Sequence, residues 1–178
     1  MHRTGAVAAV LLTAVLLAGC AVRSGGTNLD RARIGLDSVD GRVGSVRLLS
    51  VSIASPGARG STHIAGDSAA LLLTVANDGR DDDALTDVTT DVAPQVLLRD
   101  GDGRGEERLD IVVPAGGVAV LREVSGEHLE LFGLREALRS GFSVPITFRF
   151  RDAGTVTLQV PIRMYEGVRP DRLVEHTS

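Results

Sequence analysis

Residues 144–151 read Val-Pro-Ile-Thr-Phe-Arg-Phe-Arg, with an apolar side chain at every even position. Successive side chains of an extended strand point to opposite faces, so this run buries one face and wets the other. Asp152-Ala153-Gly154 reads as a turn, after which Val156, Leu158, Val160 and Ile162 alternate with Thr155, Thr157, Gln159 and Arg163. The two runs predict a β-hairpin. Earlier strand candidates lie at 43–54, 69–76, 85–90, 95–98, 109–113, 118–124 and 128–132. Turn signals separate them: Ser55-Pro56-Gly57, Asn77-Asp78-Gly79, Asp100 to Gly105 and Pro114-Ala115-Gly116-Gly117. Many short strands at close spacing predict a β-sandwich or barrel. Only 134–140 reads as a short helical turn, and no internal repeat is visible.

The core of such a domain has to be aliphatic. Aromatic residues make up 3% of the chain and Trp is absent, so Val, Leu, Ile and Ala must fill the interior, with Phe142, Phe148 and Phe150 as the large fillers. A domain of about 120 residues buries roughly two-thirds of its unfolded surface. It needs neither a disulfide nor a metal to fold, so a metal site here would be functional and not structural.

The N-terminus has a different character. Arg3 gives a short positive region, and Ala6 to Leu17 form an apolar run. That run is shorter than the roughly 20 residues a membrane-spanning helix needs, but it suits the core of a secretion signal. Leu17-Ala18-Gly19-Cys20 then matches a lipobox, an aliphatic residue and two small ones before the chain's single cysteine. The small residues fit the cleft of the lipoprotein signal peptidase, and the Cys20 thiol becomes the thioether to diacylglycerol. The sequence therefore predicts a signal peptide over 1–19 and a lipidated Cys20. It also predicts a flexible tether over 20–42, a β domain over 43–165 and a polar tail over 166–178. About 20 tether residues span roughly 25 Å, enough to lift a domain off the headgroups. The expected location is the extracytoplasmic face of the cell membrane, reached through two or more acyl chains, since one alone anchors marginally.

All 19 basic residues are Arg, read here as coding bias, and the net charge is −4. A nucleic-acid partner calls for a basic face and is not expected. No Gly-rich phosphate loop precedes a helix, there is no Gly-x-Ser-x-Gly or His-Glu-x-x-His, and Cys20 is consumed by lipid, so no enzymatic activity is expected. The acidic run Asp78 to Asp83 reads as a solvated turn in preference to a calcium loop. Asp100-Gly101-Asp102-Gly103 fails as an EF-hand because Ile111 stands where a carboxylate is required.

Of the four histidines, His2 lies in the signal, His176 in the tail and His63 in a loop. His128 belongs to His128-Leu129-Glu130-Leu131, where strand alternation sets His128 and Glu130 on one face and the two leucines on the core side. The pair could give a metal one nitrogen and one oxygen ligand, or be an exposed polar pair on a half-wet strand.

Several segments, in order, resemble the periplasmic copper chaperones called PCu(A)C. They are Gly66 to Gly79 followed by Asp82 to Val88; Val113 to Gly117; His128 to Leu134; Leu138 to Gly141; Val144 to Phe150; and Ala153 to Ile162. The resemblance covers about 45–163. It implies an all-β, cupredoxin-like or immunoglobulin-like antiparallel β-sandwich and copper handling outside the cytoplasm. It also implies a copper motif of His-x-Met with an earlier His. His128 matches the motif histidine, whereas Glu130 stands where Met belongs and Arg99 where the earlier His belongs. The mature chain's only Met is Met164, outside the motif. Two functions are therefore carried forward. One is a lipid-anchored, copper-chaperone-like protein that holds copper through His128 and Glu130 and passes it to an exported cuproprotein. The other is a metal-free surface lipoprotein whose sandwich binds a protein or envelope partner.

Overall fold

The computed structural model describes residues 37–57 and 60–164. The signal segment, Cys20, most of the tether and the tail after Met164 lie outside the described residues. The strands are β1 (Val39–Val43), β2 (Val46–Ile53), β3 (Thr62–His63), β4 (Ala69–Asn77), β5 (Asp83–Thr89), β6 (Gln95–Asp100), β7 (Ile111–Val113), β8 (Val118–Leu121), β9 (Glu127–Phe132), β10 (Leu138–Arg139), β11 (Ser143–Phe150) and β12 (Thr155–Pro161). Of the two large sheets, one has the order β1-β2-β4-β9-β6, with β8 also on β4, and the other has the order β12-β11-β5-β7; β10 and β3 form a separate two-stranded ladder. Every ladder is antiparallel. The predicted all-β antiparallel sandwich is what the chain forms.

The hairpin follows its alternation. β11 and β12 pair from Ser143↔Pro161 to Arg149↔Thr155, and Ile146, Phe148, Phe150, Val160 and Ile162 are buried. They meet Val46, Leu48, Val51, Ile53, Leu71, Leu73 and Val75 from the first sheet in one aliphatic core. Phe142, expected in that core, is instead 61% exposed, because it lies in the turn before β11, ahead of the alternating run. At one edge the two sheets meet through a bridge between Ile53 and Ile162. Where β1 packs on β12, a Cβ at Gly41 would stand 2.6 Å from a Leu158 methyl, so that side chain would have to shift.

β2 does not keep one parity. Val46 and Leu48 point inward, and then Val51 and Ile53 do, because the β2–β4 register shifts between Leu49 and Ser52. Ser50 takes up the extra residue at φ 52°, the one non-glycine residue at positive φ among those described. Its amide donates to Asp40 Oδ1 at 2.7 Å. A bulge of this kind puts two residues opposite one and switches the face.

Three expectations change. The tether expected over 20–42 ends earlier, since Val39–Val43 is a strand whose Arg42 and Val43 pair with Arg47 and Val46. The 134–140 segment is not helical: Leu134 donates its amide to Asp67 O, and Leu138 pairs with His63 in the small β3–β10 ladder. The acidic run is only partly solvated. Asp78 forms a two-pronged pair with Arg47, both contacts at 2.8 Å, and the Arg47 hydrogen bond lowers the Asp78 carboxyl below its usual range. Asp83, by contrast, is buried.

Candidate metal site at His128

β9 lies between β4 and β6, so its side chains have neighbours on both flanks. On β6, Arg99 stands directly across from His128 and Leu97 from Glu130; on β4, Ala70 stands across from Glu130. Directly opposed residues share a face. Leu129 and Leu131 are fully buried in the core, and His128 and Glu130 share the opposite face, as the alternation requires.

That face is not the open surface of a half-wet strand. His128 is 4% exposed. Its Nδ1 lies 2.9 Å from Gly126 O. A carbonyl only accepts, so Nδ1 carries the proton and Nε2 is the lone-pair nitrogen of the neutral ring. The same carbonyl accepts the Gly101 amide at 3.0 Å, which joins the β8–β9 turn to the β6–β7 loop. Gly101 sits at φ +51°, and a Cβ there would come within 2.9 Å of Ser125 O, so the junction depends on glycine.

Glu130 is ion-paired through Oε2 with Arg99 Nε. Both side chains are largely buried, 15% and 23% exposed respectively. Arg99 Nη1 also donates to Gly103 O at 2.7 Å. The structure thus gathers His128, Glu130 and Arg99, the three positions the sequence singled out. The ion pair was not legible beforehand, because it depends on how β6 registers on β9.

The other sequence candidates lie elsewhere. His63 is buried in β3 with Nε2 2.8 Å from Ala54 O. It lines a groove of about 370 Å³ together with Asp67, Ser68, Ala70 and Val124. Met164 follows β12, in the other sheet. Among the described residues no three His, Cys, Asp or Glu side chains cluster as a metal cage would need. Asp82 and Asp83 both accept backbone amides, from Ala115 and from Ala84, Asp152 and Ala153, so they act as a corner clamp.

Comparison with known proteins bears on the same region. The profile of the LpqE-like lipoprotein family matches residues 46–162. No curated protein sequence matches the chain. Among solved structures, the copper-bound PCuAC domain from PmoF2 superposes with a TM-score of 0.57 at 20% identity, covering 70% of this chain and 97% of that one. The apo form of that domain gives 0.58 at 19% identity, over 72% of this chain and 98% of that one. Apo-DR1885 from Deinococcus radiodurans gives 0.50 at 18% identity, over 76% and 89%. At these identities the likeness is one of fold, and it is the fold the sequence resemblance implied.

Proposed function

Because the chain belongs to the LpqE-like family of lipoproteins, we propose that it is an exported, lipid-anchored protein that takes copper at His128 and passes it to another exported protein. The observation that carries the metal assignment is the contact between His128 Nδ1 and the Gly126 carbonyl. The Nδ1–H is spent on Gly126 O, which fixes the ring and leaves Nε2 as the ligand, the arrangement in which metal-binding imidazoles are usually held. Glu130, two residues on, is the second donor. Imidazole with carboxylate and no thioether favours Cu(II) or Zn(II) over Cu(I). With only two protein donors the complex is weak and open to ligand exchange with a recipient. The solved copper-bound PCuAC domain supports the reading at the level of fold.

A competition titration of the full chain in detergent, with Cu(I), Cu(II) and Zn(II) tested separately, checks it. Cu(II) binding is expected in the native chain and is expected to be lost in His128→Ala. Tight Cu(I) binding would refute the donor set. A second reading, a metal-free lipoprotein that binds an envelope partner through its sandwich, is favoured by one observation: Glu130 already has a cation, Arg99. Absence of binding by all three ions would select it.

The anchor has its own test. Cys20→Ala is expected to abolish lipid labelling and detergent-phase partitioning together, because no other cysteine can carry the thioether. Labelling that survives the change removes the anchor from the proposal.

A further inference from the structure

We propose that the end of the domain where β2 finishes and β12 runs out is a lipid-contacting surface, laid against the bilayer by Ile64, Phe142 and Met164. The proposal rests on the anchored reading and adds to it the orientation in which the domain is held. Ile64, Phe142 and Met164 are each more than half exposed. Their backbones are tied together around Ile53. The Arg163 amide, next to Met164, donates to Ile53 O, and Phe142 O accepts the Ile162 amide. Ile64 follows His63, which pairs with Leu138 and whose ring is bonded to Ala54 O. Phe132, also exposed, ends β9 just past the Leu131–Ala69 pair, at the same end of the first sheet. Exposed apolar side chains scattered singly need no explanation, whereas a group at one end does.

The course of the chain says what covers this end. β1 runs antiparallel to β2 and begins opposite Val51, so the chain also enters the domain here. Residues 21–36 separate Cys20 from Asp37, the first described residue. A coil of that length averages roughly 22 Å from end to end, so an acyl anchor on Cys20 holds this end near the headgroups. The other end is a strand length away, about 30 Å for β4, and has the opposite character: Asp81, Asp82 and Asp152 line one groove there. Arg139 and Arg163, both exposed, flank Phe142 and Met164, and long Arg stems lie along apolar surface with the guanidinium at headgroup depth. Asp67 and Glu136 at the same end offset that charge, so apolar burial carries the contact. His128 precedes Phe132 on β9 by about 13 Å of strand, which leaves it clear of the lipid and within reach of a recipient.

The test uses the full lipidated chain in phosphatidylcholine vesicles, with and without brominated acyl chains. The chain has no Trp, so Phe142→Trp supplies a lone fluorescent reporter at this end. Val118→Trp, on β8 opposite Ala76 and also exposed, supplies one towards the other end. Neither change touches the core. With vesicle flotation showing the anchor in place, the reporter at 142 is expected to shift to the blue and to lose most of its emission to brominated lipid. The reporter at 118 is expected to do neither. Adding Ile64→Ser and Met164→Ser to the 142 reporter is expected to reduce the quenching and leave flotation unchanged. Flotation without quenching at 142, or equal quenching at both positions, overturns the lipid-contacting end and leaves the anchor standing. A blue shift at 142 without quenching overturns it in favour of a second copy seated on the patch. If the chain neither floats nor carries lipid, the anchored reading falls and this proposal with it.

Discussion

Phe148→Ala is expected to lower the stability of the domain by about 3–5 kcal/mol, the usual cost of emptying a fully buried aromatic site. Phe148 is at the centre of β11, paired with Val156 on one side and Val88 on the other, and it is 0% exposed. The core around it is aliphatic, and β-sheet backbones on both flanks limit how far the cavity can collapse. The loss should therefore sit at the level of transfer plus cavity and not transfer alone. For a domain of this size it corresponds to a fall in melting temperature of roughly 10–20 °C. Urea unfolding followed by far-ultraviolet circular dichroism measures it, with Phe142→Ala as the internal comparison. Phe142 is exposed, and its removal should change stability by no more than about 0.5 kcal/mol. A loss below about 1 kcal/mol for Phe148→Ala, or equal losses at the two positions, would mean that the buried face of the hairpin has been misassigned.

The contrast between these two phenylalanines shows what the sequence made legible. Where a strand keeps one parity for its whole length, as β11 and β12 do, the period alone tells the buried face from the wet one. β2 breaks the rule because the bulge at Ser50 changes parity in mid-strand, so its inward residues fall at even positions through Leu48 and at odd positions from Val51. β1 was invisible because Asp40, Gly41 and Arg42 look like linker. What makes them a strand is the partner β2 and the room Gly41 leaves for Leu158. Leu134 and Leu138, four apart, mimic a helical face. They are buried for unrelated reasons, one beside Asp67 and the other against His63. The candidate site divides in the same way. The shared face of His128 and Glu130 is a local property of one strand. The Arg99–Glu130 pair joins residues 31 positions apart in sequence, and nothing in either strand announces the register that brings them together.

Asp83→Ala is the second large effect, expected to cost about 2–4 kcal/mol. The residue belongs to an acidic run that reads as a solvated turn, yet its side chain is drawn inside and the residue is only 3% exposed. Its Oδ1 accepts the Ala84 amide at 2.7 Å and the Asp152 amide at 3.0 Å, and Oδ2 accepts the Ala153 amide at 2.9 Å. One carboxylate thus fastens the start of β5 to the turn of the β11–β12 hairpin, on which Phe148 also depends. Hydrogen bonds to a charged acceptor are stronger than neutral ones, and each buried donor left without a partner costs about 1–3 kcal/mol. Three such losses do not sum in full, because the Asp152–Ala153 turn is open enough for water to replace part of what is removed. Asp83→Asn should fall between Ala and the native residue: its one carbonyl oxygen can still accept, while its amide nitrogen faces a backbone N–H it cannot satisfy. Asp81→Ala, two residues away and exposed, with its carbonyl and not its carboxylate engaged by Asn77, is expected to be within about 0.5 kcal/mol of native. Chemical denaturation of the three variants decides the matter. Equal small effects at positions 81 and 83 would return the whole run to the solvated turn that its composition suggests. A graded series, with Asp83→Ala weakest, would establish that the hairpin is held at its turn by a buried carboxylate supplied from the start of the neighbouring strand β5.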